Sequence, residues 1–208
     1  EAPGDEKGPK KLPSTHFPRR YLSMVFQPDG SIILFSFLLD LLLKDPVSFL
    51  HPIRWMGKAI EFFEPIFRRA VASPMLSGSL FSLTLVLSTW TIGALTIWIC
   101  RQVHPMLAGS VECVLLWYCI SAGSLAESAG DVVRQLLHCG VPAARRAVSM
   151  IVGRDTESLE ESGILRAALE TTAENFVDGV FAPLFYYAVG GIPLALAYKM
   201  VNTLDSMV

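Results

Sequence analysis

Apolar residues in this chain fall in long blocks rather than short alternations, and three of the blocks reach membrane-spanning length. Residues 77–100 hold no charged side chain across 24 positions, more than the ~20 a helix needs to cross a bilayer core. Residues 106–126 carry Glu112 alone. A third block, 179–201, is uncharged as far as Tyr198 but is interrupted by Pro183, Gly190, Gly191 and Pro193. Those breakers predict a kinked or re-entrant helix whose freed backbone groups face protein rather than lipid. Residues 31–43 form a weaker block, short for a span and holding Asp40, with a turn signal at Pro28-Asp29-Gly30 just before it. Whether it crosses or stops halfway stays open. No small-residue cleavage site follows it, so it does not read as a removed signal peptide.

The segments between the blocks are mixed. In 58–72, Phe62, Phe63, Ile66 and Phe67 alternate with Glu and Arg, as in an amphipathic helix lying at an interface. Residues 127–150 read as helical, with Val132, Val133, Leu136 and Leu137 on one side and Pro142 opening a further helix. Residues 154–175 predict another helix, which Asp155 or Thr156 can cap and where Ser158-Leu159-Glu160-Glu161 has capping-box spacing. The prediction is an all-α, polytopic helical membrane protein with cytoplasmic amphipathic helices. Residues 1–30 form a flexible N-terminal tail, and residues 31–208 a single membrane domain.

Composition and charge fit that reading. Of 208 residues, 52% are hydrophobic and only 17% charged, unlike a soluble domain. Lys44, Arg54, Lys58, Arg68 and Arg69 lie in 44–76, and Arg134, Arg145, Arg146, Arg154 and Arg166 in 127–178, whereas Arg101 alone separates the two best blocks. By the positive-inside rule both long connections are cytoplasmic. Cys100, Cys113, Cys119 and Cys139 show no CxxC spacing and read as small buried hydrophobes, not as a disulfide frame or zinc site. A net charge of −2 with no concentrated basic face predicts no nucleic-acid partner.

The polar groups placed against apolar sequence are the candidate chemistry, because ionisable groups in hydrocarbon cost roughly 2.5–3.5 kcal/mol each on insertion scales. Arg166, Glu170, Glu174 and Asp178 follow at i+4 steps, with Asn175 beside them. Carboxylates of this kind suit Mg²⁺, which takes one or two of them plus substrate phosphates; a solvated helix face with an Arg166–Glu170 ion pair is the competing reading. Gly153, Arg154, Asp155 and Thr156 bring an arginine and polar groups to a helix start, suited to an anion, and an ordinary capped N-terminus is the alternative there. Lys199, Asn202, Asp205 and Ser206 share one face at the end of an apolar helix. His51 and Arg54 could bind an anionic group near the surface, or His51 could be a structural loop residue. Asp40 and Glu112 are either bundle hydrogen-bonding groups or site residues. No GxxxxGK[ST], GxGxxG or HExxH occurs.

The segments DLLLKDP, HPIRWMG, VGRDT, RAALETTAENFVDGVFAPLFYYAVGG and PLALAYKMVNTLDSMV resemble the adenosylcobinamide-phosphate synthase family of cobalamin biosynthesis (CobD/CbiB). The likeness covers most of 31–208 and leaves the tail outside. It implies a multi-pass inner-membrane ligase with its site on the cytoplasmic side. The implied reaction joins adenosylcobyric acid to (R)-1-amino-2-propanol or its O-phosphate through an amide bond, with ATP as co-substrate and Mg²⁺. Glu174, Asp178 and Asp205 would then hold the metal. Arg154 and Lys199 would hold phosphate or a corrinoid carboxylate, and Asn175, Thr156 and Asn202 would orient substrate. Implied partners are membrane lipid, the corrinoid and aminopropanol substrates, and other corrinoid-assembly membrane enzymes. Lys44 stands where the family commonly has Gly, Phe176-Val177 replaces a small polar pair, and the family continues past Val208, which marks the chain as C-terminally truncated. Two other readings compete: a non-catalytic AmpE-like membrane regulator, whose polar motifs would form a sensing pocket, and a transporter, which would need a polar path through several spans.

Overall fold

The computed structural model of the chain describes residues 28–44 and 51–208. Most of the predicted tail therefore lies outside the described residues, as does the Asp45-Pro46 pair. Among the described residues all regular structure is helical. In chain order the helices are α1 (Gly30–Leu43), α2 (Pro52–Ala70), α3 (Pro74–Val103), α4 (Pro105–Cys119), α5 (Ala122–Cys139), α6 (Val141–Ser149) and α7 (Glu161–Phe176). A π-helical turn, Val177–Phe181, then leads into α8 (Ala182–Met207). Prolines occupy the first turn of α2, α3, α4, α6 and α8, where a missing N–H breaks no intrahelical bond and the fixed φ suits a helix start.

Three stretches are long and apolar enough to cross a membrane: Pro74–Val103, Pro105–Cys139 and Glu161–Met207. Helix α3 buries Phe81, Leu85 and Ile97 against its neighbours and leaves Leu83, Leu87, Ile92, Leu95 and Ile99 exposed. Such a helix, apolar all round and covered on one side only, fits a lipid surround. The block predicted as one span over 106–126 is divided at Ile120-Ser121, where α4 ends and α5 begins. The third span is bent at Gly190 and Gly191. Gly191 has φ 66°, a conformation open to glycine at little cost.

Helix α1 is inside-out. Ser36 and Asp40 are buried while Leu34, Phe35 and Leu42 are exposed. Ser36 donates to the Cys113 carbonyl at 2.9 Å, and Asp40 accepts from the Gly123 amide at 2.8 Å. Asp40 thereby caps α5 from another helix, whose own Ser121 makes no side-chain cap. At 14 residues, α1 is roughly 21 Å long, short of a full crossing. Glu112 is equally structural: buried, it accepts from Arg101 at 2.8 Å and from the Tyr187 hydroxyl at 3.1 Å.

Two apolar cores result. The larger joins α2, α3, α4 and α8 through Ile60, Leu85, Ile97, Leu116, Tyr187 and Leu196. The smaller joins α5, α6 and α7 through Val132, Ala144, Val148, Ile164 and Ala168. The predicted helix 154–175 begins only at Glu161, preceded by Glu160 at the cap position. Asp155 and Thr156 do not cap it. Asp155 accepts from the Glu157 amide at 2.9 Å, and buried Thr156 donates to the Arg145 carbonyl at 3.3 Å. The cause is Arg145, whose Nε donates to the Leu159 carbonyl at 2.7 Å and straps this connection onto α6. All four cysteines are free; Cys119 is buried, but Cys139 is exposed, contrary to its reading as a buried hydrophobe.

Candidate functional site

The two cores meet at a cavity of about 440 Å³ between α5, α7, the π turn and the end of α8. Helix α7 brings Glu174 and Asn175 to it, the π turn brings Asp178, and α8 brings Lys199, Asn202, Asp205 and Ser206. All seven had been singled out in the sequence, from two motifs more than twenty positions apart.

Local chemistry places Asp178. Continuation of α7 as a plain α-helix would have kept Arg166, Glu170, Glu174 and Asp178 on one stripe. The helix switches to a π turn at Val177, which widens it by a residue just where Asp178 stands, a feature frequent at functional sites. Glu170 faces away and takes two guanidinium groups, Arg154 at 2.6 Å and Arg166 at 2.9 Å. The solvated ion-pair reading therefore holds for Arg166 and Glu170, while Glu174 and Asp178 turn to the cavity. Asp178 Oδ1 accepts from the Tyr198 hydroxyl at 3.3 Å and Oδ2 from Asn202 Nδ2 at 3.5 Å. Tyr198 is stacked on Tyr186, ring centroids 4.8 Å apart.

The π turn is pinned from the opposite wall. Gly179 O accepts from the Ser121 amide at 2.9 Å and from its hydroxyl at 3.3 Å. A Cβ on Gly179 would collide with Ser121 Oγ. The break between α4 and α5 and the π turn thus hold each other. Ser121 begins a run of hydroxyls along the cavity wall, with Ser124 and Ser128 on α5 facing Thr171 and Thr172 on α7. Sequence reasoning missed these hydroxyls and Tyr198. The spacing of Ser121, Ser124 and Ser128 at three and four on an otherwise apolar-to-polar transition was the available signal.

Among the described residues, no hydrogen bond or ion pair within the protein takes up the side chains of Glu174, Lys199 or Asp205. Two carboxylates and one ammonium therefore open to the cavity with free valence. Glu174, Asp178 and Asp205 do not converge into a cage, since no three His, Cys, Asp or Glu side chains among the described residues lie close enough to hold a metal ion. Their chemistry fits Mg²⁺ in its usual role, held by one or two carboxylates and completed by ligand oxygens and water.

The remaining candidates lie elsewhere. His51 is buried, caps α2 by accepting from the Ile53 amide at 3.3 Å, and packs edge-on against Tyr118. Arg54 is exposed on α2. Neither lines the cavity. Arg154, Asp155 and Thr156 line a separate concavity against α6, and Gly153 is exposed beside it. The arginine predicted to share a pocket with Asp178 and Asp205 is thus held on another face by Glu170.

The family model described as CobD/Cbib protein matches residues 33–208. A cobalamin biosynthesis protein CobD from Geobacter metallireducens is 44% identical over 179 residues, covering 86% of this chain and 56% of its own length. A cobalamin biosynthesis protein CbiB from Salmonella arizonae is 42% identical over 176 residues, covering 83% and 55%. A Clostridium perfringens CobD is 39% identical over 176 residues, covering 84% and 56%. The chain spans about half the length of these curated relatives. No solved structure matches it.

Proposed function

We propose, from the premise that this chain belongs to the CobD/CbiB family of cobalamin biosynthesis proteins, that its cavity is the amide-forming centre of an adenosylcobinamide-phosphate synthase. The observation that carries the reading is the convergence of Glu174, Asn175, Asp178, Lys199, Asn202 and Asp205 on one wall system. The substrates are the free carboxylate of adenosylcobyric acid and the amine of (R)-1-amino-2-propanol or its O-phosphate.

A carboxylate is a poor acyl donor, so ATP transfers its terminal phosphoryl group to it, giving an acyl phosphate and ADP. The amine nitrogen then forms the C–N bond, the C–O bond to phosphate breaks, and phosphate leaves. Mg²⁺, when bound, would supply charge neutralisation on the transferring oxygens. One or two carboxylates would hold it, Asp178, fixed by Tyr198 and Asn202, and Asp205, with ligand oxygens and water completing its shell. Lys199 clamps an anionic oxygen of the acyl donor. Asn175 and Asn202, each able to donate and accept, orient the reacting amide plane. Glu174, free of protein partners, accepts the proton lost by the amine.

The localisation follows by the same reasoning. The cavity is bordered by the 127–178 connection, which carries five of the basic residues, so it opens to the cytoplasmic side of an inner membrane. The test is growth of a mutant that lacks corrinoid amidation, supplied with this chain or with the chain extended to the length of its relatives. Growth without added cobinamide by either form supports the reading, and failure of both overturns it.

A further inference from the structure

A groove lies where α2 ends and α3 begins. It encloses about 330 Å³ and shares no lining residue with the carboxylate cavity. Phe67 and Phe81, ring centroids 5.7 Å apart, form its floor, and Val71 and Pro74 continue the apolar wall. Ser77 lines it as well, 3% exposed, with no hydrogen-bond partner for its hydroxyl among the described residues. We propose that this groove holds the glycerol-ester portion of one anionic phospholipid, as a lipid site built into the fold.

The orphan hydroxyl is the first observation. A serine or threonine inside a helix commonly returns its hydroxyl proton to the carbonyl four positions back. Ser79, Thr84, Thr91 and Thr96 all do so on this same helix, at 2.7–2.9 Å. Ser77 does not, although its amide is bonded to the Ser73 carbonyl at 2.9 Å. A buried donor without a partner costs free energy, and an acceptor that reaches it recovers that cost. An ester carbonyl is such an acceptor, and it brings no charge into the phenylalanine-lined slot.

Position and charge select the rest of the ligand. At 30 residues, α3 is about 45 Å long, more than the ~30 Å hydrocarbon core, so its first turn stands at headgroup depth. Phe63 and Ile66 on α2 and Met75 and Leu76 on α3 are exposed around the groove, an apolar rim that faces lipid better than water. Arg68, on the lining, is engaged by Glu64 at 2.6 Å, which leaves that pair near neutral. Arg69 is exposed beside it in the last turn of α2. Ser73 provides no side-chain cap to α3, so the amides of that first turn stay open to an anion. A phosphate above the ester thus meets a guanidinium on one side and a helix N-terminus on the other.

The test is native mass spectrometry of the purified, delipidated whole chain in detergent, titrated with phosphatidylglycerol and with phosphatidylcholine of the same acyl chains. Saturable uptake of one phosphatidylglycerol is expected, with phosphatidylcholine held several-fold more weakly. Ser77→Ala should weaken phosphatidylglycerol binding by about fivefold, the loss of one hydrogen bond. Gly78→Leu should weaken it at least as much. Gly78 lines the groove, and nothing lies within 4 Å of a Cβ placed there, so the leucine occupies the opening without disturbing the packing. A thermal unfolding temperature at or above the parent's shows that this variant is folded. Arg69→Gln should abolish the preference between the two lipids. The proposal is overturned if phosphatidylglycerol does not saturate, if both lipids bind the parent equally, or if either Ser77→Ala or Gly78→Leu keeps parental affinity. It is equally overturned if the chain extended to the length of its relatives takes up no lipid, since polypeptide would then fill the groove. No turnover is read, so failure here is separable from failure of the amidation reading.

Discussion

Ser121 and Gly179, 58 positions apart, decide how Asp178 is presented. The Gly179 carbonyl takes both donors of Ser121, and the space beside its Cα is filled by Ser121 Oγ. Gly179→Ala should therefore destabilise the chain by about 1–3 kcal/mol, the usual penalty for overpacking, measured as a drop in thermal unfolding temperature in detergent. Adding Ser121→Ala removes the obstructing oxygen, and the only other neighbour within 4 Å is Ser121 Cβ at 3.7 Å. The double variant should recover most of the loss; if it is worse than Gly179→Ala alone, the steric account is wrong. Their pairing was not legible from the chain. Ser121 sits in a block that reads as apolar, and nothing local pairs it with a glycine on another helix. Glu174 and Asp178, by contrast, were legible because an i+4 step and an Asp-Gly pair ahead of an apolar run are local signals.

At the scale of elements, the hydrophobic blocks were readable and their interruptions were not. Hydropathy sums over a window, so it located α3 and the two longer apolar stretches. It could not show that α4 stops at Cys119, because that break is made by Asp40, from a different helix, capping the start of α5. The delayed start of α7 has a similar origin, since Arg145 and Thr156 hold the 152–160 connection on α6. Asp40→Ala should leave the Gly123 amide buried without its acceptor. The expected cost is about 1–3 kcal/mol, checked by chemical denaturation followed by circular dichroism; an unchanged midpoint would show that the cap contributes nothing. The bend in α8 makes its own prediction. With φ 66° and ψ −167° at residue 191, Gly191→Ala should lower thermal stability by about 1–3 kcal/mol, the cost of holding a residue with a Cβ in a region essentially reserved for glycine. A variant as stable as the parent would mean the bend is not fixed in that form.

For the whole molecule, the arrangement of two cores matters more than any single helix. The lipid-grade bundle of α3, α4 and α8 supports one side of the cavity and the α5–α7 cluster the other, so charged groups gather where apolar sequence ends. By the positive-inside rule, the distribution of Lys and Arg gives that mouth an expected cytoplasmic orientation. What the sequence left hidden was that its two anion-suited motifs would part company. Arg154 and Lys199 looked equivalent as charges, yet one is sequestered by Glu170 and the other faces the cavity. Orientation can be checked with single cysteines after Cys100, Cys113, Cys119 and Cys139 are all replaced by Ala. Ser158→Cys, on the 152–160 connection, should be labelled by a membrane-impermeant maleimide only from the cytoplasmic side. Gln102→Cys, beside the α3–α4 junction, should be labelled only from the opposite side. Labelling of both from one side would invalidate the topology.

The claim on which the rest depends is that the residues gathered in the α5–α7–α8 cavity, and not the other candidate polar residues, carry out amide formation. It is tested most directly by mass-spectrometric quantitation of corrinoid amide product from purified protein, in this chain and in its form extended to the length of its relatives. Asp178→Asn and Asp205→Asn are compared with Arg54→Ala. Loss of a preorganised electrostatic partner typically costs about 10²–10³ in turnover. The two cavity variants should therefore fall by that order, while Arg54→Ala, on a surface away from the cavity, keeps the parent rate. Parental turnover in both cavity variants, or a collapse confined to Arg54→Ala, would contradict the account.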